Sequence, residues 1–426
     1  MEALGMTKAC TRVVVAKSKR TMVTVHSAMK PRFTSCVSSE KPFHRLRHRF
    51  GFSVSTAAIV TNGTRRNPDG RSVPETCVPR RRGAGCPLGL ACAAWTLVSP
   101  SLSVGYNFGL TPPIAFLFPG QGSQFTGMGK ALADTYVAAR RVFEEADEAL
   151  GFPLSRLCFE GPEDRLKLTE NTQPALLTVS IAAFEVLRER GLAPDYVAGH
   201  SLGEYSALVA AGSLRLADAV RLVRKRGQYM QEAVPPGVGA MAALLKLPEG
   251  KLDAVLEQAA QGEVVSAANL NSPDQTVIAG HAAAVARAMD LAKTAGARRA
   301  VLLPVSAPFH CALMKPAQER LRADLDATDF RDLFWPLVNN WQAREIRTAA
   351  EAREGLYQQV PNPVRWFESI RHLAGHGVGR FVEVGAGGVL TGLLRAIDVS
   401  LAGLRFGEPS ELDALAASGW LAPNQR

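Results

Sequence analysis

A serine flanked by two glycines marks the stretch of this sequence most suggestive of chemistry. Gly199, Ser201 and Gly203 stand between a short apolar run, residues 196–198, and an Ala- and Leu-rich segment. This order predicts a strand, a sharp turn and a helix, the arrangement of a nucleophile elbow that exposes a serine hydroxyl. Backbone N–H groups at the helix N-terminus could then stabilise an oxyanion. Because a bare Gly-x-Ser-x-Gly pattern is common, the strand-turn-helix setting carries the interpretation of Ser201 as a nucleophile.

A serine nucleophile needs a general base, and the chain contains eight histidines. Three precede residue 112, and four others lie beside the serine or on predicted helices, namely His200, His281, His372 and His376. The pair His372 and His376, four residues apart with no third metal ligand in view, is expected to be solvated. His310 follows a predicted strand through a loop, where an α/β enzyme would hold a catalytic side chain. We therefore predict His310 as the base; the alternative is a loop histidine satisfied by local hydrogen bonds.

The third member of a hydrolase triad is not evident between Ser201 and His310. The acids of this segment lie on predicted helices, before a strand or in a hairpin turn: Asp253, Glu257, Glu263, Asp274 and Asp290. Either the acid lies elsewhere, or carbonyl groups orient the histidine. The second possibility favours a dyad enzyme over a lipase-like one.

An arginine on an apolar helix face is the other candidate site residue. Arg226 lies three or four residues from apolar side chains on either side within the predicted helix 216–233. An unpaired buried charge is costly, so this guanidinium must meet an anion. No acid shares its face of the helix, which points to the substrate as the anion. The alternative is a structural ion pair with an acid of another element, such as Glu204.

The elements that must position these residues alternate between strand and helix from residue 113 onward. Such alternation predicts an α/β fold with a mostly parallel sheet covered on both faces. Residues 238–305 follow the order β-α-β-β-α-β of a ferredoxin-like subdomain, inserted between two halves of the larger domain. The longer helices are expected at 130–150, 172–190 and 216–233, and a Gly-rich turn at 385–388 is expected to lead into the last helix. The predicted domain is residues 113–426.

Residues 1–112 differ from the remainder in charge. They contain 17 Lys and Arg against 4 Asp and Glu, whereas residues 113–426 contain 32 against 35. All the excess positive charge therefore precedes the enzyme-like part. A nucleic-acid-binding function of residues 113–426 thus loses its main support, which was the positive net charge. The basic extension fits a transit peptide, an upstream region translated from a wrongly chosen start codon, or a free basic arm. It is expected to contribute nothing to fold or chemistry.

Cysteine content and hydropathy bear on the compartment. Only Cys158 and Cys311 lie beyond the extension, and no Cys/His spacing typical of zinc occurs, so we predict a reducing compartment and no metal site. The apolar run 88–98 is far shorter than the ~20 residues of a membrane span. We expect a cytoplasmic protein without membrane association, or a plastid or mitochondrial one if the extension is a genuine transit peptide.

Five motifs in order closely resemble the bacterial-type malonyl-CoA:acyl-carrier-protein transacylase family, from about Ile114 nearly to the C-terminus. They are Pro119-Gly120-Gln121-Gly122-Ser123-Gln124, Gly199-His200-Ser201-Leu202-Gly203-Glu204, Arg226, Asn271-Ser272-Pro273 with Gln275, and Pro308-Phe309-His310-Cys311-Ala312-Leu313-Met314. The resemblance implies a hydrolase-like α/β core with a ferredoxin-like insert. Ala386 and Gly388 depart mildly from the family, whose members often have Pro and Lys at these positions.

The resemblance also implies roles and partners. Ser201 would attack the malonyl thioester with His310 as base, and the backbone N–H groups of Gln121 and Leu202 would form the oxyanion hole. The malonyl group would pass in a ping-pong scheme from malonyl-CoA to the phosphopantetheine thiol of acyl carrier protein. This scheme needs no metal or bound cofactor, and a monomer is expected.

Three further residues would act on the substrate or support the site. Arg226 would grip the malonyl carboxylate, and Gln359 would help to hold the site around His310. The ring of Phe309 would leave little room for a substituent at the malonyl α-carbon. Three rival functions remain open: a serine thioesterase or hydrolase, a trans-acting polyketide acyltransferase, and an inactive carrier-binding subunit.

Overall fold

The computed structural model describes residues 111–305 and 307–421. The predicted extension, residues 1–112, therefore lies outside the described residues except for its last two. The strands, in chain order, are β1 (Ile114–Phe118), β2 (Tyr196–Gly199), β3 (Gly239–Leu245), β4 (Val265–Ser272), β5 (Gln275–His281), β6 (Arg299–Leu302), β7 (Leu337–Val338), β8 (Glu345–Ile346), β9 (Arg380–Val384) and β10 (Ala402–Phe406).

Fourteen α-helices occur within the described residues. They are α1 (Lys130–Thr135), α2 (Val137–Leu150), α3 (Leu154–Glu160), α4 (Glu163–Leu166), α5 (Thr169–Glu189), α6 (Leu202–Ala210), α7 (Leu216–Glu232), α8 (Leu252–Ala260), α9 (Ala282–Thr294), α10 (Lys315–Ala327), α11 (Ala349–Gln359), α12 (Trp366–Gly375), α13 (Val389–Ile397) and α14 (Leu412–Ala417). None of these helices combines the length and apolarity that crossing a bilayer requires.

The larger sheet has six strands in the order β10-β9-β1-β2-β7-β8. All neighbours are parallel except β7 and β8, which pair antiparallel at one edge. The sequence of strand β1 is entirely apolar because both faces of the strand are buried. Phe116 and Phe118 face one hydrophobic core, whereas Ala115 and Leu117 face a second core on the other side. A strand covered on both faces has no polar positions to alternate with. The predicted α/β fold with a mostly parallel sheet is confirmed.

A second sheet contains four antiparallel strands in the order β4-β5-β3-β6, with α8 following β3 and α9 following β5. The chain thus passes through the predicted β-α-β-β-α-β order between residues 239 and 302. Ala242 and Leu244 of β3 pack in the core between this sheet and its helices, while Met241 and Ala243 join the main core. Because alternate side chains of β3 pack in the two cores, this strand connects the small sheet to the larger domain.

Several local predictions were wrong. The helix expected at 130–150 is two helices, because Tyr136 is extended, with φ of −118°. The Gly-rich turn 385–388 precedes α13, but β10 and α14 follow, so α13 is not the last helix. The two-residue strand β8 is too short for periodicity to reveal. The boundaries of the domains stay a prediction.

Candidate active site

Ser201 lies in a sharp turn between β2 and α6, with φ of 53° and ψ of −104°. A Cβ on Gly199 would lie 1.9 Å from the carbonyl carbon of Gly203, and a Cβ on Gly203 would lie 2.0 Å from the carbonyl oxygen of Phe118. No side chain fits at either glycine, so the two glycines allow β2, β1 and α6 to approach this closely. The strained backbone of Ser201 is typical of a nucleophile elbow.

The Ser201 hydroxyl lies 2.7 Å from Nε2 of His310. The other ring nitrogen of His310, Nδ1, lies 3.0 Å from the backbone carbonyl oxygen of Gln359. Because a carbonyl only accepts, Nδ1 must carry the proton, which leaves the Nε2 lone pair facing the serine. A carbonyl rather than a carboxylate orients the histidine, so of the two alternatives left open by the sequence, the dyad is the one observed.

His310 is almost fully buried at 3% exposure. Burial, and secondarily the nearby Arg226 guanidinium, lower the pKa of His310 to about 3. Both effects disfavour the imidazolium form. The imidazole is therefore neutral near pH 7 and available to accept the serine proton.

Two backbone N–H groups border the nucleophile without a hydrogen-bond acceptor among the described residues. Leu202 is the first residue of α6, where an intrahelical partner is lacking, and Gln121 lies in the turn after β1. Both residues line the same cavity as Ser201. Two such donors beside the hydroxyl could stabilise negative charge on a carbonyl oxygen.

Arg226 reaches the nucleophile from the middle of α7 and is 1% exposed. Its Nη2 lies 3.3 Å from Ser201 Oγ and 2.8 Å from Gln359 Oε1, and its Nη1 lies 2.7 Å from Gln173 Oε1. Within the described ranges no carboxylate oxygen comes within 4.0 Å of this guanidinium. Its direct partners are all neutral, and its Nε donates to none of the described residues.

Glu204, the acid considered as a structural partner of Arg226, is bonded elsewhere. Its Oε2 accepts from the backbone N–H of Asn340 at 3.0 Å and from Nε2 of Gln359 at 2.9 Å. Burial raises the pKa of Glu204 to about 7, although hydrogen bonds and Arg226 partly offset that rise. Near neutral pH a substantial fraction of this carboxyl is uncharged, so it neutralises Arg226 only in part.

The elbow is held by two amides from distant parts of the chain. Asn340, which follows β7, accepts from the Ser201 N–H at 2.7 Å and donates to the Gly199 carbonyl at 2.7 Å. Gln359, the last residue of α11, donates from Nε2 to the Ser201 carbonyl at 2.9 Å. Gln359 thus contacts the serine, the histidine and the arginine, each through a different atom.

His200 is hydrogen-bonded to the small sheet and not to the Ser201 hydroxyl. Its Nε2 lies 2.8 Å from Oδ1 of Asn271, whose Nδ2 donates to Oε1 of Gln275 at 2.8 Å. Asn271 and Gln275 lie on β4 and β5. This chain of hydrogen bonds connects the elbow to the hairpin of the small sheet.

The cavity above the nucleophile has a volume of about 110 Å³. Helices and turns of the larger domain line it together with strands of the small sheet, through Gln121, Gln173, His200, Ser201, Leu202, Arg226, Met230, Met241, Asn269, Leu303, Val305, Phe309 and His310. The lining is largely apolar, with Arg226 as its cation. Such a cavity suits a small acyl group that carries a negative charge.

The structure brings together all seven residues singled out from the sequence: Gln121, Ser201, Leu202, Arg226, Phe309, His310 and Gln359. Sequence reasoning missed Gln173 and Asn340, and it considered Glu204 only as an ion-pair partner. Asn340 lies two residues after the buried strand β7, which was the available signal. Gln173 lies on the apolar helix α5, where a buried amide has no periodic signature.

Comparison with known proteins gives a consistent result. The family model described as acyl transferase domain matches residues 115–398. The malonyl CoA-acyl carrier protein transacylase of Bacillus subtilis is 51% identical over 301 residues, covering 70% of this chain and 95% of that protein. The crystal structure of an acyl carrier protein S-malonyltransferase from Vibrio cholerae superposes with a TM-score of 0.70 at 45% identity, covering 71% of this chain and 99% of that one.

A third relative was solved as a malonyl-transacylase in complex with a type II polyketide synthase acyl-carrier protein. It has a TM-score of 0.70 and 45% identity, and the match covers 72% of this chain and 99% of that one. Each match covers nearly the full length of the relative. With the matching family model and the identity to the relative from Bacillus subtilis, this establishes that the chain belongs to the acyl transferase domain family, among the malonyl CoA-acyl carrier protein transacylases.

Proposed function

We propose that this protein transfers a malonyl group from malonyl-CoA to the phosphopantetheine thiol of an acyl carrier protein, and so supplies fatty acid synthesis. The observation that carries the proposal is the fully buried Arg226, whose guanidinium lies 3.3 Å from the Ser201 hydroxyl and contacts only neutral groups. A cation at that place favours an acyl group that ends in a carboxylate.

In the first half-reaction, Ser201 Oγ forms a bond to the thioester carbonyl carbon while His310 Nε2 takes the hydroxyl proton. The backbone N–H groups of Gln121 and Leu202 stabilise the oxyanion. The intermediate collapses with cleavage of the C–S bond, and the imidazolium gives its proton to the departing CoA thiolate. The products are a malonyl ester on Ser201 and free CoA.

In the second half-reaction, the carrier thiol gives its proton to His310 and attacks the ester carbonyl. The C–O bond to Ser201 then breaks, and the serine oxygen recovers the proton. Malonyl binding should also favour the base, because the substrate carboxylate offsets the Arg226 charge that lowers the pKa of His310. A substrate without a carboxylate lacks this effect.

Two observations keep a second function in view. One relative was solved with a carrier protein of a type II polyketide synthase, so transfer to such a carrier is the alternative within the same chemistry. A thioesterase would share the Ser201 and His310 dyad, but a cation against the nucleophile favours charged acyl groups in either case. The site geometry therefore does not distinguish a hydrolase from a transferase, and an experiment must do so.

The test is acylation of the purified full chain by malonyl-CoA, followed by intact-mass measurement. We expect one malonyl group on wild type, located on Ser201 by peptide mapping, and none on Ser201→Ala. Addition of holo acyl carrier protein should then discharge the ester to malonyl-carrier. Release of free malonate at the same rate without a carrier would indicate a hydrolase, and undiminished labelling of Ser201→Ala would contradict the nucleophile.

We further propose that residues 113–426 are the catalytic domain, with residues 238–305 as its insert, and that residues 1–112 are a dispensable extension. The cavity lining supports one catalytic domain, because Arg226 comes from the larger part and Met241 from β3. We propose a monomer without nucleic-acid or membrane partners. The two cysteines of the described part, Cys158 and Cys311, are both free thiols, which supports a reducing location such as the cytoplasm.

A further inference from the structure

Three side chains with metal-binding atoms meet at the edge of the six-stranded sheet, and none of them lines the catalytic cavity. Glu345 lies on the edge strand β8, and His372 and His376 lie one turn apart on α12. Their ligand atoms all lie within 4.8 Å of one another. The sequence predicts two solvated histidines because no third ligand is in view. That interpretation is incomplete, since the edge strand brings a carboxylate to the pair.

His376 is oriented as a metal ligand would be. Its Nδ1 lies 2.8 Å from the backbone carbonyl oxygen of His372, so Nδ1 carries the proton and donates. The lone pair is then on Nε2. A backbone carbonyl that fixes the tautomer of a histidine in this way is the usual support of metal-binding imidazoles.

His372 supplies an independent observation. Its Nε2 is buried and has no hydrogen-bond partner among the described residues. A buried polar atom without a partner costs free energy, and native proteins rarely leave one so. A cation bound at Nε2 would satisfy it.

Glu345 has one carboxylate oxygen to spare. Its Oε1 accepts from Nε of Arg347 at 2.6 Å, whereas Oε2 accepts from none of the described residues. The Arg347 contact involves Oε1 alone and supports the carboxylate from the side, so Oε2 remains available to a cation.

We propose that Glu345, His372 and His376 form a binding site for a divalent transition metal ion, with Zn²⁺ as the best fit. Two imidazole nitrogens and one carboxylate oxygen, with water in the fourth position, form a common tetrahedral zinc set. Bonds of 2.0–2.2 Å place tetrahedral ligands roughly 3.4 Å apart, so the ligand atoms must approach by at most about 1.4 Å. Side-chain rotation of the exposed His376 and the half-buried Glu345 supplies that movement.

The bound ion would join α12 to the edge strand β8. Helix α12 begins at Trp366, whose ring lies 5.5 Å from the ring of His200 beside the nucleophile. His372 follows six residues later, about 9 Å along the helix axis at 1.5 Å per residue. The ion is therefore too far from Ser201 to take part in acyl transfer, and its effect is on stability.

The experiment uses the full chain after treatment with a chelator and dialysis. ZnCl₂ is titrated while the thermal midpoint and the binding isotherm are recorded. We expect a saturable rise of the midpoint in wild type, and an affinity at least about 10-fold lower in His376→Ala and in Glu345→Gln. The matched control for Glu345→Gln is Glu368→Gln, which makes the same change of charge on α12, the helix of His372 and His376, but at a residue that pairs with Arg365.

Malonyl transfer at room temperature should be equal with and without Zn²⁺ in the same preparations. His376 is exposed, so His376→Ala should leave the thermal midpoint of the metal-free protein unchanged. If that midpoint does change, the Zn²⁺ affinity of Glu345→Gln alone decides whether the site exists. Absence of any saturable effect in wild type would overturn the site. Equal Zn²⁺ affinity in wild type and both ligand variants would also overturn it, and would assign the metal to other groups, such as the cysteines and histidines that precede residue 111.

Discussion

Replacement of Arg226 by alanine tests how this enzyme chooses a dicarboxylic acyl group. The guanidinium is 1% exposed, is held by Gln173 and Gln359, and has no carboxylate within 4.0 Å in the part of the chain that the structure describes. The malonyl carboxylate would therefore be the first full negative charge in direct contact with it. An acetyl group offers no such charge.

The magnitude follows from the burial of this pair. Loss of one partner of a buried, hydrogen-bonded charge pair costs about 2–5 kcal/mol, and each 1.4 kcal/mol is about tenfold in rate or affinity. Arg226→Ala should therefore lower malonyl transfer by a factor between about 30 and several thousand. Acetyl transfer should stay level or rise, because removal of the cation also raises the pKa of His310.

The assay measures kcat/KM for malonyl-CoA and acetyl-CoA on the same protein preparation. The ratio of the two rates is the informative quantity, because it cancels any effect common to both substrates, such as the loss of the donor to the amide oxygens of Gln173 and Gln359. Arg221→Ala is the matched control, since Arg221 lies on the same helix but its side chain is 53% exposed. If both substrates lost the same factor in Arg226→Ala, the arginine would be structural and the selectivity would reside elsewhere.

The site and the extension lead to predictions for four other variants. Because the pKa of His310 is lowered from 6.5 to about 3, the unfolded chain takes up the proton first on acidification. The stability due to neutral His310 is complete above pH 6.5 and is lost between pH 6.5 and 3, so His310→Ala should flatten part of the decline in thermal midpoint. The same variant should acylate about 10²- to 10⁴-fold more slowly. The pKa of Glu204 is raised from 4.5 to about 7, so the folded protein binds this proton more tightly than the unfolded chain does. The stability that the proton contributes is therefore lost as the pH rises from 4.5 through 7. Glu204→Gln, which keeps an acceptor for Gln359, should raise the thermal midpoint more at pH 8 than at pH 5, and equal shifts would contradict the raised pKa. Phe309→Ser should increase methylmalonyl transfer relative to malonyl transfer, as measured by competition, and an unchanged ratio would exclude the ring as the steric limit. A shortened chain beginning near Leu110 should match the full chain in midpoint and rate, and a loss of either would show that the extension has a structural role.

The sequence alone determined the elements that depend on local chemistry. Gly199 and Gly203 specify the elbow because no side chain fits between β2, β1 and α6. The buried position of Arg226 follows from helical periodicity, and the alternating strands and helices specify the two sheets. Each of these signals lies within a few residues of the feature that it predicts.

Only the tertiary structure decided what the polar groups contact. His310 is oriented by the carbonyl of Gln359, 49 residues away, and Arg226 bonds to the side chain of the same glutamine, 133 residues away. The elbow amide of Ser201 finds its acceptor on Asn340, 139 residues away. Hydrophobic burial recurs with the period of the helix or strand and can be read locally, whereas a single buried amide has no period. The partner of such an amide is set by which helices, strands and turns the fold brings together, and for the same reason Glu345 reaches His372 and His376 only in the folded chain.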